Sequence, residues 1–311
     1  MTLIVSMRAK HGAAVLADSQ ETVKDRYGDE FKYAVLKNSP ERLKGFHFLV
    51  AGGGDGDGID ELSENFRRAL KTSDCRTLEN FRNLFERHLK LELKSLQKQD
   101  PSARIELIVA ATKNSKWEVW KSARATLVPT IAGPPTLVGF ETELYKHVGG
   151  ALLPRATSQV QIILVGLTIL ELARKSSTCV DAPHHGVLIV PSGMLVIPDK
   201  ILRELTNSIS TFQAYLDDLL LASADPTMGR PEFNHKLEEF QATALELRSE
   251  YLQTVNEEDM LAELRGAPSG IRFMPDNYSR TTSFGTAGIS VKVNEYNPVK
   301  QSASQKLEPE K

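Results

Sequence analysis

Apolar and polar residues alternate at the start of the chain, over residues 3–8, in a segment rich in β-branched side chains. A turn at 10–12 separates this segment from a second apolar run at 13–17. Alternation on this short scale predicts two strands joined by a tight turn. Apolar runs at 31–36 and 46–51 predict a third and a fourth strand, so that four strands precede the first helix.

The period changes at Ile59, where apolar residues begin to recur at the spacing of two amphipathic helices that extend to Leu96. The remaining predicted elements are strands at 105–111, 117–128 and 136–138, helices at 142–152 and 158–174, and a hairpin of strands at 186–190 and 194–197. This order lacks the strict alternation of strand and helix that marks a doubly wound parallel sheet. It favours an α+β fold in which antiparallel sheets are covered by pairs of helices.

Two further segments with helical spacing of apolar residues follow Pro198, and in the second segment these residues recur at the 4-3 spacing of a coiled-coil seam. Such a seam predicts packing of the two helices as a hairpin or against another subunit. Towards the C-terminus Ser, Pro, Gly, Asn and charged residues dominate, and no long period survives. The predicted division is a main domain over 1–197, a helical hairpin extension over 198–265, and a polar, partly or wholly disordered tail over 266–311.

Composition and charge narrow the class of protein. The 311 residues are 41% hydrophobic and carry a net charge of −2, which predicts a soluble globular protein and argues against binding to nucleic acid or to an anionic membrane surface. The most apolar window, 160–172, is shorter than a membrane span, and the N-terminus does not read as a secretory signal. The two cysteines, Cys75 and Cys179, are too few for a disulfide framework, which favours a reducing, cytoplasmic compartment.

Thr2 is the first candidate for chemistry. Its small side chain predicts removal of the initiator Met1, which exposes Thr2 with a free α-amino group. An N-terminal Thr can act as a nucleophile whose own amine is the base, so that no His is required. Such a site needs a nearby cation, a carboxylate to hold that cation, and backbone N–H donors for the oxyanion. Taken alone, a Thr after Met is more often an ordinary residue.

Other residues supply the missing parts. Asp18 ends the second predicted strand, which lies beside the start of the first strand in the hairpin. Lys37 ends the third predicted strand, and Gly52 and Gly53 follow the fourth strand just before a helix, where backbone N–H groups are exposed.

These segments carry a resemblance to a known family. The runs Thr2–Arg8, Ala17–Ser19, Val35–Lys37 and Ala51–Gly53 are similar to the opening of proteasome β-type subunits and of bacterial HslV-like peptidases. The resemblance implies a four-layer αββα sandwich of the N-terminal nucleophile (Ntn) hydrolase kind up to about Ile197, with the helical extension added to it. It also implies a peptide or protein substrate and assembly of identical subunits into a ring or stacked rings.

The resemblance also implies a role for each site residue. Thr2 is the nucleophile and, through its amine, the base; Lys37 tunes that amine and Asp18 anchors Lys37. Gly52 or Gly53 donates to the oxyanion, and Ser19 adds a hydrogen bond beside Asp18. The resemblance thus implies seven site residues: Thr2, Asp18, Ser19, Lys37, Gly52, Gly53 and Asp181.

Two positions depart from the family pattern. Phe140 stands where active members carry a Ser, and the motif that begins at Asp181 has His184 in place of its Ser, which makes His184 a candidate partner of the amine. These departures leave open a non-catalytic structural or assembly subunit, or an amidohydrolase that acts on substrates other than peptides. The helices after Pro198 could recruit a further partner.

Two alternative readings are weaker. The glycines over 52–58 could form a phosphate or calcium loop, but no Gly-Lys-Ser/Thr follows and the Glu spacing of a calcium loop is missing. His184, His185, Asp181 and Cys179 could form a metal cluster, yet their spacing matches no zinc signature. No cofactor and no metal are predicted.

Overall fold

The computed structural model describes residues 2–9, 12–24, 30–34, 40–139, 142–156, 158–177 and 180–254. The helices are α1 (Gly56–Thr72), α2 (Leu78–Gln99), α3 (Thr142–Leu152), α4 (Gln159–Ser176), α5 (Asp199–Ser223) and α6 (Arg230–Thr254), with a short 3₁₀ turn at Leu153–Arg155. The strands are β1 (Leu3–Ala9), β2 (Gly12–Ala17), β3 (Gln20–Lys24), β4 (Glu30–Ala34), β5 (Glu41–Leu43), β6 (Phe46–Gly54), β7 (Ile105–Lys113), β8 (Lys116–Ala123), β9 (Thr126–Pro129), β10 (Thr136–Gly139), β11 (His185–Val190) and β12 (Gly193–Val196).

Two five-stranded antiparallel sheets form the centre of the fold. The first sheet has the order β10-β1-β2-β11-β12 and the second the order β5-β6-β7-β8-β9, while β3 and β4 pair with each other as a separate hairpin. Because the first sheet puts β1 between β10 and β2, the start of β1 is flanked by the end of β10 and by the end of β2.

Three apolar cores hold four layers together. Alternate residues of β1 enter different cores: Leu3, Val5 and Met7 pack against α3, α4 and α5, while Ile4 packs between the two sheets. A third core joins the outer face of the second sheet to α1 and α2. The side-chain period of two in a strand makes this division possible. The predicted four-layer αββα sandwich with a C-terminal helical extension is confirmed.

The helix starts have local causes in the sequence. Asp55 caps α1, where its carboxylate accepts the N–H of Gly58 at 2.7 Å, and Thr77 caps α2 through the N–H of Asn80. Ser158 and Gln161 form a reciprocal capping box at the start of α4. Each cap satisfies N–H groups that have no partner inside the helix.

The number of early strands was predicted wrongly. Six strands precede α1 instead of four. The strand predicted at 31–36 corresponds to β4, and the prediction misses β3, a polar segment that pairs with β4 through the backbone, and β5, which is only three residues long. Backbone pairing needs no apolar alternation, so periodicity cannot find β3. The single strand predicted at 117–128 is divided by a turn at Arg124, whose φ is +58° without being a glycine.

Helix α5 begins on the body of the protein, and apolar residues near its other end are exposed. In α5 the apolar residues Ile201, Leu205 and Ile209 are buried against the helix layer, whereas Leu220 and Leu221 are exposed. Helices α5 and α6 contact each other, and the rings of Phe212 and Phe240 lie 5.5 Å apart. The proposed tail 266–311 lies outside the described residues, and the division at residue 198 stays a prediction. Within the part of the chain that the structure describes, every helix is too short or too polar to cross a membrane.

Candidate active site

The N-terminal end of β1 is joined to the end of β2 by a pair of hydrogen bonds. The register that pairs Ile4 with Ala17 leaves Leu3 opposite Asp18. The backbone N–H of Leu3 donates to Oδ1 of Asp18 at 2.9 Å, and the N–H of Asp18 donates to the carbonyl of Leu3 at 3.3 Å. The side chain of Asp18 is fully buried. A carboxylate is therefore fixed one peptide unit from Thr2.

The last residue of β10 closes the other side of Thr2. Gly139 pairs with Leu3 and has a φ of +105°, which L side chains rarely adopt. A Cβ atom on Gly139 would lie only 1.8 Å from the carbonyl oxygen of Thr2. The absence of a side chain at residue 139 is thus what allows the backbones of Thr2 and β10 to meet.

The two candidate oxyanion glycines face opposite ways. A Cβ atom on Gly53 would lie 3.6 Å from the Cα of Gly139, whereas one on Gly52 would meet Leu107 and Ile59 at 2.6 Å and 2.8 Å in the helix-covered core. Strand β5 pairs only with Phe46–Phe48, so the far end of β6 has an open edge among the described residues. Successive N–H groups of a strand point to alternate sides. One of the two glycines therefore directs its N–H to the open edge.

Ser19 and Asp181 meet on the other side of Asp18. Ser19 is buried, and its backbone N–H donates to the carbonyl of Asp181 at 3.4 Å. The carboxylate of Asp181 is exposed and accepts the N–H of Ala182 at 2.8 Å. The contact between Ser19 and Asp181 thus runs through the backbone.

The structure brings some of the predicted site residues together and leaves others out. Thr2, Asp18 and Gly53 converge, with Ser19 and Asp181 beside Asp18. The predicted residues Met1, Lys37, Phe140 and Cys179 lie outside the described residues. Within the described ranges, no three His, Cys, Asp or Glu side chains are grouped so that they could hold a metal ion.

Sequence reasoning missed the contribution of Gly139. The signal that could have found it is a glycine at the end of a predicted strand, which often marks a close approach of two backbones.

Known proteins resemble this chain in structure but not detectably in sequence. No protein-family model and no curated protein sequence matches this chain. The Anbu (ancestral beta-subunit) protein from Yersinia bercovieri has a similar structure, with a TM-score of 0.58 at 12% identity over 73% of this chain and 99% of that chain. The fold is that of the Anbu proteins.

Two further solved structures agree with the first. Anbu from Hyphomicrobium sp. strain MC1 superposes with a TM-score of 0.54 at 15% identity, over 73% of this chain and 99% of that chain. A structure described as the helical assembly of the Anbu complex from Pseudomonas aeruginosa gives a TM-score of 0.56 at 12% identity, over 74% and 99% of the two chains. Identities this low establish the fold alone.

The similarity to Anbu corrects the family predicted from the N-terminal motifs. Those motifs indicated proteasome β-subunits and HslV-like peptidases, whereas the structural neighbours are Anbu proteins, a distinct branch with the same proteasome-like architecture. The prediction was wrong because motifs as short as Ala17-Asp18-Ser19 do not distinguish between families that share one fold.

A buried ionic network adjoins the loop that contacts Ser19, and sequence reasoning missed it. The fully buried carboxylate of Glu171 on α4 accepts a hydrogen bond from Nε2 of His184 at 2.7 Å and three from two nitrogens of Arg174, the shortest at 2.8 Å. Ser210 on α5 donates to the same carboxylate at 3.3 Å. His184, the residue in place of the family Ser, therefore lies in the helix layer and binds Glu171.

The network determines the ionisation of Glu171. Burial by itself raises the pKa of this carboxyl, but the hydrogen bonds and positive charges of His184 and Arg174 outweigh that effect and lower its pKa to about 2. The ordinary value is 4.5. Glu171 is therefore ionised throughout the neutral and mildly acidic range.

The lowered pKa of Glu171 predicts a loss of stability in acid. A carboxyl whose pKa is lower in the folded protein stabilises it fully above the unfolded value, and the contribution disappears as the pH falls from about 4.5 to about 2. The contribution is about 3 kcal/mol in the free energy of unfolding. Urea unfolding of the wild type and of Glu171→Gln, followed by circular dichroism at each pH, checks this. The difference between the two proteins should shrink across that window, and a constant difference would contradict the prediction.

Proposed function

We propose that the chain is an N-terminal threonine hydrolase that cleaves amide bonds, with Thr2 as nucleophile after removal of Met1. The observation that supports this best is the 2.9 Å hydrogen bond from the N–H of Leu3 to the buried Asp18, because it fixes a carboxylate next to the residue that would bear the free amine. Gly53 and Gly139 add the close backbone approach that a strand-end site requires.

In the proposed reaction, Oγ of Thr2 attacks the amide carbon while the α-amino group accepts the hydroxyl proton. The C–N bond of the substrate then breaks, and the resulting ammonium returns the proton to the leaving amine. Water, deprotonated by the same amine, hydrolyses the ester on Thr2. Backbone N–H from Gly52 or Gly53 stabilises the oxyanion in both steps. Lys37, held by Asp18, keeps the amine unprotonated by its positive charge.

Peptides or proteins are the proposed substrates, in a cytoplasmic setting. Copies of the chain are also proposed to assemble with one another, since one protein of the same fold was solved as a helical assembly. Native mass spectrometry of the full chain tests assembly, and a purely monomeric protein at micromolar concentration would contradict it.

Labelling by an amide-mimicking electrophile tests the nucleophile. A β-lactone probe should add to Thr2 of the wild type, and the adduct should be lost completely in Thr2→Ala because alanine offers no oxygen to attack the carbonyl. Peptide mapping by mass spectrometry locates the adduct and also reports whether Met1 has been removed. The matched control Thr2→Ser retains a hydroxyl and should still be labelled.

Two outcomes would reject the hydrolase proposal. One is intact Met1 on the native protein, since Thr2 then has no free amine. The other is an adduct whose yield does not depend on Thr2. Either result would favour the second candidate, a non-catalytic assembly subunit, which is supported by the burial of His184 against Glu171 at the position where active proteasome-type enzymes carry Ser.

A further inference from the structure

We propose that Glu171 is a positioning residue for the Thr2 site, acting through His184 to hold the loop 181–184 against Asp18 and Ser19. The inference rests on the proposed function, because positioning matters only where Thr2 reacts. Glu171 itself is fully buried on α4, where it binds His184, Arg174 and Ser210.

The first step is that one end of the loop binds Glu171 directly and the other end interacts with Arg174, a partner of Glu171. His184, at the end of the loop, donates through Nε2 to the carboxylate at 2.7 Å. Nδ1 of His184 is buried and has no hydrogen-bond partner among the described residues, so Glu171 is the anchor of the ring within that part of the chain. At the start of the loop, Asp181 interacts electrostatically with Arg174, which itself binds Glu171 through two nitrogens.

The second step leads from the loop to the site. The carbonyl of Asp181 accepts the N–H of Ser19. Immediately after the loop, His185 pairs with Ala17 in the register between β11 and β2. The loop and the residue after it therefore contact Ser19 and Ala17, the two neighbours of Asp18 in the chain. Asp18 in turn accepts the N–H of Leu3 next to Thr2.

The third step concerns why a charge is present. Removing a carboxylate from water is costly, and an apolar side chain could fill the same space with equal or better stability. What the carboxylate adds is direction, because charge-assisted hydrogen bonds to a planar guanidinium and to an imidazole fix the angle of both partners. A buried Glu with donors from α4, α5 and the loop is suited to hold a loop in one place.

Two measurements on Glu171→Gln test this. Amide hydrogen exchange at Ser19, followed by NMR, should accelerate by about tenfold because the loop that accepts its N–H is released. The rate constant for acylation of Thr2 by a β-lactone at saturation should fall by about tenfold, while the concentration for half-saturation stays unchanged, since positioning affects the reacting geometry and not probe binding.

The control is Glu86→Gln. Glu86 is also a carboxylate that joins two elements, since it accepts the N–H of Leu127 at 2.7 Å and binds Arg82, but it lies on α2 by the second sheet. The variant Glu86→Gln should change neither amide exchange at Ser19 nor the rate constant for acylation of Thr2. If Glu171→Gln fails to fold, His184→Asn breaks the same contact from the other side and should give the same two effects.

The outcomes separate this inference from the proposed function. Wild-type protein that is never labelled at Thr2 rejects the hydrolase proposal, and amide exchange then still measures the loop directly. Unchanged exchange at Ser19 in the folded variant overturns the positioning role, whatever the wild type does with the probe. An equal loss of acylation rate in Glu86→Gln also overturns it, because the effect would then follow general destabilisation.

Discussion

Replacing Gly139 with alanine should destabilise the protein by at least about 4 kcal/mol, the range reserved for severe steric or backbone conflicts. The added Cβ would lie 1.8 Å from the carbonyl oxygen and 2.8 Å from the carbonyl carbon of Thr2. Both are backbone atoms, which cannot rotate away as a side chain does. The φ of +105° adds strain of its own. Either β10 separates from β1 or the N-terminal residue moves out of the site.

Urea unfolding followed by circular dichroism measures the loss in Gly139→Ala. The matched control is Gly133→Ala, because Gly133 has a similar φ of +114° but nothing within 4 Å of the added Cβ. The control isolates the cost of the backbone conformation, and the difference between the variants gives the cost of the clash. Equal losses in the two proteins would show that residue 139 does not touch Thr2.

Phe81→Ala should cost about 3–5 kcal/mol in the free energy of unfolding, as expected for removing a buried aromatic ring. Phe81 is fully buried on α2, and its ring centre lies 4.9 Å from that of Phe66 and 5.2 Å from that of Phe46. It also stacks on Trp120 of β8 with the ring planes 16° apart. One side chain thus joins both helices of this layer to the second sheet.

Thermal and urea unfolding of Phe81→Ala, compared with Phe212→Ala, checks the prediction. Phe212 on α5 is 39% exposed and makes one described ring contact, with Phe240, so its truncation should cost only about 1 kcal/mol. Similar losses in the two variants would mean that the aromatic cluster is not a main source of stability.

Much of the fold follows from side-chain period alone. The change from alternation to helical spacing near Ile59 predicts α1, and the helix predicted at 142–152 coincides with α3. Strand β3 could not be predicted in this way, since it is a polar segment that pairs with β4 through backbone hydrogen bonds. The turn at Arg124 could not be predicted either, because no glycine marks the position where the backbone adopts a positive φ.

The candidate site divides along similar lines. The position of Asp18 beside the start of β1 can be predicted from the sequence, because the first residue of a hairpin lies opposite its last residue. Glu171, His184 and Ser210 come from three elements far apart along the chain, and their contact depends on how α4 and α5 pack on the sheet. A contact between buried charged residues of different elements produces no characteristic spacing that a single sequence could reveal.

The position of the two tryptophans has a practical consequence for spectroscopy. Trp117 and Trp120 are the only tryptophans of the chain, and both belong to β8 in the second sheet. Trp120 lies in the core beneath α1 and α2, whereas Trp117 packs against the core between the two sheets, with the guanidinium of Arg8 from β1 4.8 Å from the centre of its ring. Separation of β1 from the second sheet removes the Arg8 guanidinium from the Trp117 ring, so the native emission already contains an optical reporter of the first strand.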